Sequence, residues 1–495
     1  METKSIMRIM PIFFIFVLCS ISFLSCSADA GKESDANHGA SEPVPAENKN
    51  GQETSAESKN ALDDLGEFDF GGHKFKIYNR VSDAWANCRL DFEELTGEAY
   101  NDAVFNRNRL LEDRFNIEIS MVEAIYSDAE FNSIKKMILS GGNEYDFYSY
   151  RGPQSFILAQ EGLINDIGAL PSIDLGKDYW DDFITDQLTL LNKKYFAVGA
   201  FNITFFDYSF ALIFNKQLLQ NYALENPYEL VKSGKWTYGK FAEMGRAATI
   251  DLNGDGIMDK NDAWGYVARS NDVLPGFWVA ANVKGSEKDN DDVPQNMMGS
   301  EKFLAVIDKI FQITHENNIY FNSDTREMFI GGNVLFNDVD LYMLKDLRAM
   351  ETDFGILPYP KFDESQQEYY TRAGGGELFF TDKSAAEKDL ERTSVILEAM
   401  ACESLKTCVP AYYDLMLKTK FARDVESEEI IDYIVGHRVQ DWVDVIWVGE
   451  IRDGPLNAMF LSKKNTLVSL NESKLENIFN SKRDGMVEAF SKLKN

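Results

Sequence analysis

Cysteine and histidine are scarce in this sequence. Five cysteines occur in 495 residues, and after Cys26 only Cys88, Cys402 and Cys408 remain. An odd number with no zinc or redox spacing excludes a disulfide framework and a cysteine-built metal site. Cys402 and Cys408 can pair only if the chain turns between them, and free, buried thiols are expected. The four histidines, His38, His73, His315 and His437, are scattered. There is no H-E-x-x-H, no G-x-S-x-G, and no Gly-Lys followed by Ser or Thr. A zinc peptidase, a hydrolase built on a nucleophile elbow and a P-loop nucleotide enzyme are therefore not indicated. The triple glycine at 374–376 does not fit the dinucleotide fingerprint. Only a carboxylate pair of the glycosidase kind, which needs no sequence motif, escapes this search.

Positive charge is also short. Fifty Lys and Arg face 80 Asp and Glu, a formal charge of −30. That balance argues against nucleic acid and against charge-driven binding to anionic membranes; much of the acidity serves surface solubility. Long apolar runs are missing too, with one exception at the start. Lys4 and Arg8 precede an apolar stretch from Ile9 to Leu24 that closes in Leu24-Ser25-Cys26. This is the pattern of an export signal, too short for a spanning helix. Its "FLSC" end resembles a bacterial lipobox, with Phe23 where Leu is usual, which implies cleavage after residue 25 and lipidation of Cys26. No later segment holds ~18 apolar residues without charge, so the remainder is expected to be soluble. Residues 27–60 lack aromatics and carry one β-branched aliphatic, Val44. Such a stretch cannot bury enough surface to offset its ordering entropy, and a disordered tether is expected.

What is present begins near "FDFGGHKFKIYNR". Phe75 and Ile77 alternate as in a strand, and Val104, Leu111 and Phe115 recur at helical spacing. A second strand runs from Ile117 to Val122, and a further helix, a Gly-Gly stop and a strand lead to Tyr148 and Tyr150. Strand and helix alternating in this way imply βαβ units and a largely parallel sheet, hence an α/β class. Ligands of such sheets sit beyond the strands' carboxyl ends. That rule marks Asp83 and Trp85 after the first strand, and Tyr150 and Arg151 after the third. Farther on, Ser384 and Glu387 form a capping box ahead of an apolar helix, and the last 26 residues read as one amphipathic helix. At 495 residues the chain exceeds one hydrophobic core, and two lobes are expected.

"DLNGDGIMDKND", residues 251–262, has the spacing of a calcium loop. Asp251, Asn253, Asp255, Asp259 and Asp262 stand at positions 1, 3, 5, 9 and 12, the Ile257 carbonyl at 7 and Gly256 at the turn. It joins a predicted helix to a predicted strand and lacks the second helix of an EF-hand. Asp262 replaces the usual Glu, whose longer reach favours bidentate binding. A structural Ca²⁺ that stiffens this turn is the expectation.

In their order, "TGEAYNDAVFNRNRLLEDRFNIEI", "EYDFY", "LAQEGLINDIGALPSIDLGKDYW", "YFAVGAFNI", "LIFNKQLL", "SGKWTYGKFAEM", "DLNGDGIMDKNDAWGY", "DFGILPYPK" and "GGGELFFTDKSA" resemble the solute-binding lipoproteins of bacterial ABC importers, the carbohydrate-type group that includes maltose-binding protein. The resemblance implies a two-lobed periplasmic-binding-protein fold of type II. Lobe 1 would comprise 66–209 plus 378–435, and lobe 2 would comprise 210–377 plus 436–495, behind a signal peptide at 1–25 and a lipidated tether at 26–65. It further implies a monomer, anchored outside the cytoplasmic membrane through Cys26 alone, that hands a solute to permease subunits and catalyses nothing. The solute expected is an oligosaccharide, whose apolar ring faces need aromatic platforms and whose hydroxyls need paired polar groups. Candidate cleft residues are aromatics beside polar groups in predicted loops: Trp85 with Asp83, Tyr150 with Arg151, Tyr208 with Asp207, and Trp278 with Asn282. Asn337, Asp338, Asp340, Tyr342, Glu377, Trp442 and Trp447 complete the set, the last two being open to an alternative as a buried pair. Arg151 points equally to a carboxylate on an acidic sugar or a peptide, or to an ordinary salt bridge. A glycan-binding or sensory protein without transport, and a secreted carbohydrate hydrolase, are the competing functions.

Overall fold

A computed structural model of the chain describes residues 61–81, 86, 89–348 and 350–493. The signal segment, Cys26, the tether to residue 60, Asp83, Trp85 and Cys88 lie outside the described residues. Alternation of strand and helix starts where the sequence places it. Strand β1 (His73–Arg80) leads to α1 (Ala99–Phe115), β2 (Ile117–Ala124), α2 (Asp128–Leu139), β3 (Phe147–Arg151), α3 (Gly152–Gln160) and α4 (Asp182–Leu188). Helix α1 stops at Asn116, whose left-handed φ of 51° lets the chain reverse into β2. Helix α2 starts where the Ser127 hydroxyl accepts the Glu130 N–H at 3.1 Å, a satisfied N-cap. β1 pairs in parallel with β2 from His73↔Ile117 to Arg80↔Ala124, and with β3 on its other side.

The chain then enters a second sheet through β4 (Phe210–Asn215). It continues through α5 (Tyr238–Ala247), β5 (Trp264–Ala268), α6 (Ser270–Ala280), β6 (Tyr320–Asn322), β7 (Val334–Asp340) and β8 (Phe354–Leu357). Strand β9 (Glu377–Phe380) returns to the first sheet and pairs antiparallel with β3. Helices α7 (Glu387–Lys406), α8 (Val425–Gly436) and α9 (Glu476–Lys492) follow. The sheet orders are β9-β3-β1-β2 and β8-β4-β7-β5-β6. β4 and β7 are buried along their whole length, as central strands covered on both faces must be. β7 is apolar at its start, Val-Leu-Phe, and polar at its end, Asn-Asp-Val-Asp. Polar side chains inside a buried strand break the local rule, and such breaks collect at functional sites.

Three chain segments cross between the sheets, and they brace one another. Residues 207–209 run beside 372–374: Ser209 bridges Ala373, and the Gly374 N–H donates to the Tyr208 carbonyl at 2.9 Å. The third crossing pairs Thr371↔Arg438 and Arg372↔Val439 in parallel. The triple glycine belongs to this junction and not to a phosphate loop. A Cβ on Gly376 would come within 2.7 Å of both the Thr204 hydroxyl and the Phe205 ring.

Some expectations need correction. Glu377 already lies in the first sheet, one residue ahead of the expected return. Helix α8, placed with lobe 1, packs on β8 of the second sheet: the Ile356 N–H donates to Ser427 Oγ at 3.1 Å. Helix α9, placed with lobe 2, does touch that lobe, where Arg483 donates to Gln295 at 3.3 Å, and it also packs on α3 and on Tyr195, whose ring meets Phe490 edge to face at 5.0 Å. The capping box does not form, because the Ser384 N–H turns to Asp382 Oδ1 and α7 starts after Ala386. The expected terminal helix does form, with a π-type turn at Asn471–Leu475 ahead of α9. Cys402 and Cys408 are free and buried. No helix of the described residues is long and apolar enough to cross a membrane.

Candidate functional site

The carboxyl ends of β1, β2 and β3 and the amino end of β9 share one edge of the first sheet. In the second sheet the carboxyl ends of β5, β6 and β7 share an edge with the amino end of β4. The crossings at 208–210 and 372–377 join these two edges directly, so both edges bound one crevice at a switch in chain direction.

On the first edge, Arg80 ends β1 and forms a buried ion pair with Glu377 at the start of β9. Arg151 ends β3 opposite Glu377 in the register. The Tyr126 ring, just past β2, lies under both guanidiniums, at 5.5 Å from Arg80 and 4.9 Å from Arg151. Burial raises the Glu377 pKa while Arg80 opposes it. Glu377 is 2% exposed, and its Oε2 accepts no hydrogen bond among the described residues.

On the second edge lies a small pocket, with a cavity volume of about 10 Å³, walled by Phe210, Arg269, Asn337, Asp338, Asp340 and the 323–326 turn. Asn337 donates through Nδ2 to the Val267 carbonyl, which leaves its buried Oδ1 without a donor among the described residues. Asp340 caps the following 3₁₀ turn through the Met343 N–H at 3.0 Å. Asp338 feels Arg269, Arg372 and Arg326 electrostatically, and no described residue donates a hydrogen bond to it. Burial, reinforced by Asp272, pushes the Asp338 carboxyl up to about 7. Burial likewise pushes Asp340 up to about 8. A ligand that brings hydroxyl donors would satisfy these acceptors.

Behind this pocket the charges are closed on themselves. Arg372 donates to Asp272 at 2.7 Å and to both Asp444 oxygens at 2.7 and 2.9 Å, and its guanidinium lies 4.1 Å from the Phe210 ring centre. Arg452 adds 2.8 Å to Asp444, and Arg269 adds 2.6 Å to Asp272. Burial opposes ionisation of both carboxyls, but the guanidiniums outweigh it and hold Asp272 and Asp444 below the usual range.

Of the residues expected in the cleft, Asn337, Asp338 and Asp340 wall this pocket, while Arg151 and Glu377 stand on the edge of the first sheet. Others go elsewhere. Tyr150 is buried against Phe131, its hydroxyl donating to the Ile125 carbonyl at 3.2 Å. Asp207 is buried and accepts from the Tyr412 hydroxyl, and Tyr208 gives its carbonyl to the crossing. Trp278 packs on Phe303 in the second core. Asn282 ends α6 in an exposed left-handed turn, φ 53°. Tyr342 is buried with the Lys345 ammonium 3.4 Å above its ring centre. Trp442 and Trp447 are the buried pair, 5.9 Å apart, with Trp442 Nε1 donating to the Gln187 carbonyl at 2.7 Å. Trp236 is fully buried and donates to the Pro358 carbonyl at 2.9 Å.

Sequence reasoning passed over Arg80, Tyr126, Arg269 and Arg326. The signal was available: Arg80 and Arg269 follow their strands directly in "IYNR" and "WGYVAR", and the strand-end rule was applied only to the first sheet and there overlooked Arg80.

In the 251–262 loop the acidic side chains make turns. Asp251 accepts the Gly254 and Gly256 N–H groups at 2.7 and 2.8 Å, which depresses its pKa. Asp255 takes the Ile257 N–H at 2.7 Å. Asp262, fully buried, takes those of Leu252 and Asp259 at 3.0 and 2.7 Å, while Asp259 caps Asn261. Gly254 and Gly256 supply the positive φ, 73° and 80°. Among the described residues no group of three or more acidic, histidine or cysteine side chains converges as a metal centre would require. The residues fit Ca²⁺ in kind and spacing, and not in convergence.

No family model and no curated protein matches the chain. Solved structures do. A cyclo/maltodextrin-binding protein complexed with maltotetraose superposes with a TM-score of 0.55 at 15% identity, covering 86% of this chain and 99% of that one. The fold is that of the maltodextrin-binding group of ABC substrate-binding proteins. An ABC substrate-binding protein from Listeria monocytogenes in complex with cycloalternan gives 0.52 at 13% identity, over 85% and 99% of the two chains. UgpB from Mycobacterium tuberculosis in complex with glycerophosphocholine gives 0.54 at 14%, over 84% and 99%. The two sheets of this chain are accordingly the two lobes of that fold.

Proposed function

We propose that the chain is a solute-binding lipoprotein that captures an oligosaccharide between its lobes and delivers it to an ABC importer. The observation that carries this reading is the crevice, where buried acceptors from both lobes, Glu377 Oε2, Asn337 Oδ1 and Asp338, lack donors among the described residues. Hydroxyls from one ligand bridging both edges would hold the lobes together, the hinge closure expected of such folds. The likeness to proteins solved in complex with maltotetraose and cycloalternan supports a saccharide. Lipidation at Cys26 would keep the body near the permease, and the protein would act as a binder and not a catalyst. A thermal-shift screen against mono- and oligosaccharides, amino acids and short peptides tests this. A ligand at 100 times its Kd adds about 2.7 kcal/mol of stability. A shift with saccharides and no released product is the expected outcome; product release at low protein concentration, or shifts with peptides alone, would overturn it.

Ca²⁺ binding by the 251–262 loop is a separate proposal. Each carboxylate oxygen there keeps a second lone pair, so a modest rotation of Asp251, Asp255 and Asp259 toward one ion would complete a weak site.

A further inference from the structure

In a chain with 30 more acidic than basic residues, a guanidinium without a carboxylate partner is unusual. Around the crevice, Arg80 is held by Glu377, Arg269 by Asp272, Arg326 by Asp346 and Arg372 by Asp272 and Asp444. Arg151 differs. Among the described residues it forms no ion pair and no side-chain hydrogen bond, and its guanidinium lies over the Tyr126 ring. It stands at the carboxyl end of β3, half-buried, and is also the N-cap position of the nine-residue α3. No side chain caps that helix, so its positive end reinforces the guanidinium. The nearest acid in the register, Glu377, is neutralised by Arg80. Among these three groups Arg80 and Glu377 offset each other, and the Arg151 charge is left over. The second edge offers the opposite: acceptors on Asn337, Asp338 and Asp340, with Arg269 and Arg326 already paired to Asp272 and Asp346.

We infer that the solute is an acidic saccharide, whose oxyanion docks on Arg151 and whose hydroxyls reach the carboxylates of the second lobe. This deepens the capture reading and rests on it. The planar guanidinium fork suits a carboxylate, a sulfate or a phosphate equally in geometry. The shared requirement is an oxyanion carried on a hydroxyl-rich ring. Above about pH 8, where Asp338 and Asp340 are both ionised, polarity also fixes the ligand's direction, because an anionic end turned toward them would meet like charge.

The test is calorimetric titration of the full-length protein in detergent, wild type and Arg151→Gln, with four probes. These are trigalacturonate, a neutral hexose trimer of the same length, a phosphorylated hexose and a tripeptide. An acidic probe should bind at least about tenfold more tightly than the neutral trimer, the effect of one charge-assisted pair. Arg151→Gln should erase that difference, and Arg151→Lys, which keeps charge without the fork, should fall between. Whichever acidic probe wins identifies the oxyanion. Equal binding of neutral and acidic trimers, untouched by R151Q, overturns the inference and leaves saccharide capture standing. Binding of a tripeptide with no saccharide bound overturns both, as does no binding at all.

Discussion

Two groups of buried charge lie on neighbouring elements of the second lobe and behave in opposite ways. The Arg372–Asp272–Asp444–Arg452 cluster joins the crossing, α6 and the segment after the third crossing, and every carboxylate in it has a guanidinium within 2.9 Å. The Asn337–Asp338–Asp340 group ends β7, looks into the crevice and carries acceptors without donors among the described residues. The first holds its acids below the usual pKa, and the second has them raised. Burial is alike in both, so pairing and not depth separates a structural cluster from a binding one.

The largest effect should come from breaking the closed group. Arg372→Met takes one of two guanidiniums from each of two buried carboxylates, Asp272 keeping Arg269 and Asp444 keeping Arg452, and should cost about 3–5 kcal/mol, read by chemical denaturation. A loss under about 1 kcal/mol would mean that the network does not organise the hinge. Next, Asp338→Asn keeps the shape and removes the charge. Saccharide affinity should fall about ten- to a hundredfold, with stability unchanged or improved, because no partner is orphaned. A variant that unfolds instead would place Asp338 with the structural charges.

The pH dependence sharpens the same contrast. Asp338 and Asp340 titrate near 7 and 8 when folded and about 4 when unfolded. Between those values the folded state holds more protons, so stability of the ligand-free protein should decline as pH rises from about 4 to about 8 and level off above. Arg269 and Arg326 face both groups, with Arg372 and Asp272 beside Asp338 and Asp207 beside Asp340, and the arginines do not titrate in that window. The double variant Asp338→Asn/Asp340→Asn should flatten the slope, and an unchanged slope would contradict the assignment. The smallest effect concerns the 251–262 loop, whose carboxylates are satisfied by their own backbone. Calcium at millimolar concentration should raise the melting temperature by a degree or two, about RT ln(1 + [L]/Kd) for a weak site. Asp251→Ala should abolish that rise; no rise in the wild type would leave the loop a metal-free turn.

Much of the first lobe was legible because its signals are local. Alternation in "HKFKIYN", the helical recurrence of Val104, Leu111 and Phe115, and the Gly-Gly stop each depend on a few neighbouring residues. Lobe membership of α8 was not legible, since it packs on residues more than 70 positions away. The candidate site was chosen from aromatics beside polar residues in predicted loops. The structure buries Tyr150 and Trp278 in cores, and Trp442 and Trp447 form the buried pair that was the open alternative. Adjacency along a chain does not specify a shared face unless the element's period is known.

The most direct test of the account is tryptophan-fluorescence or calorimetric titration of wild type and Asp338→Asn with the saccharide that gives the largest thermal shift. Saturable binding in the wild type, weakened at least about tenfold in a variant of unchanged melting temperature, is the predicted result. Binding that Asp338→Asn leaves untouched would place the solute outside this crevice and contradict the account.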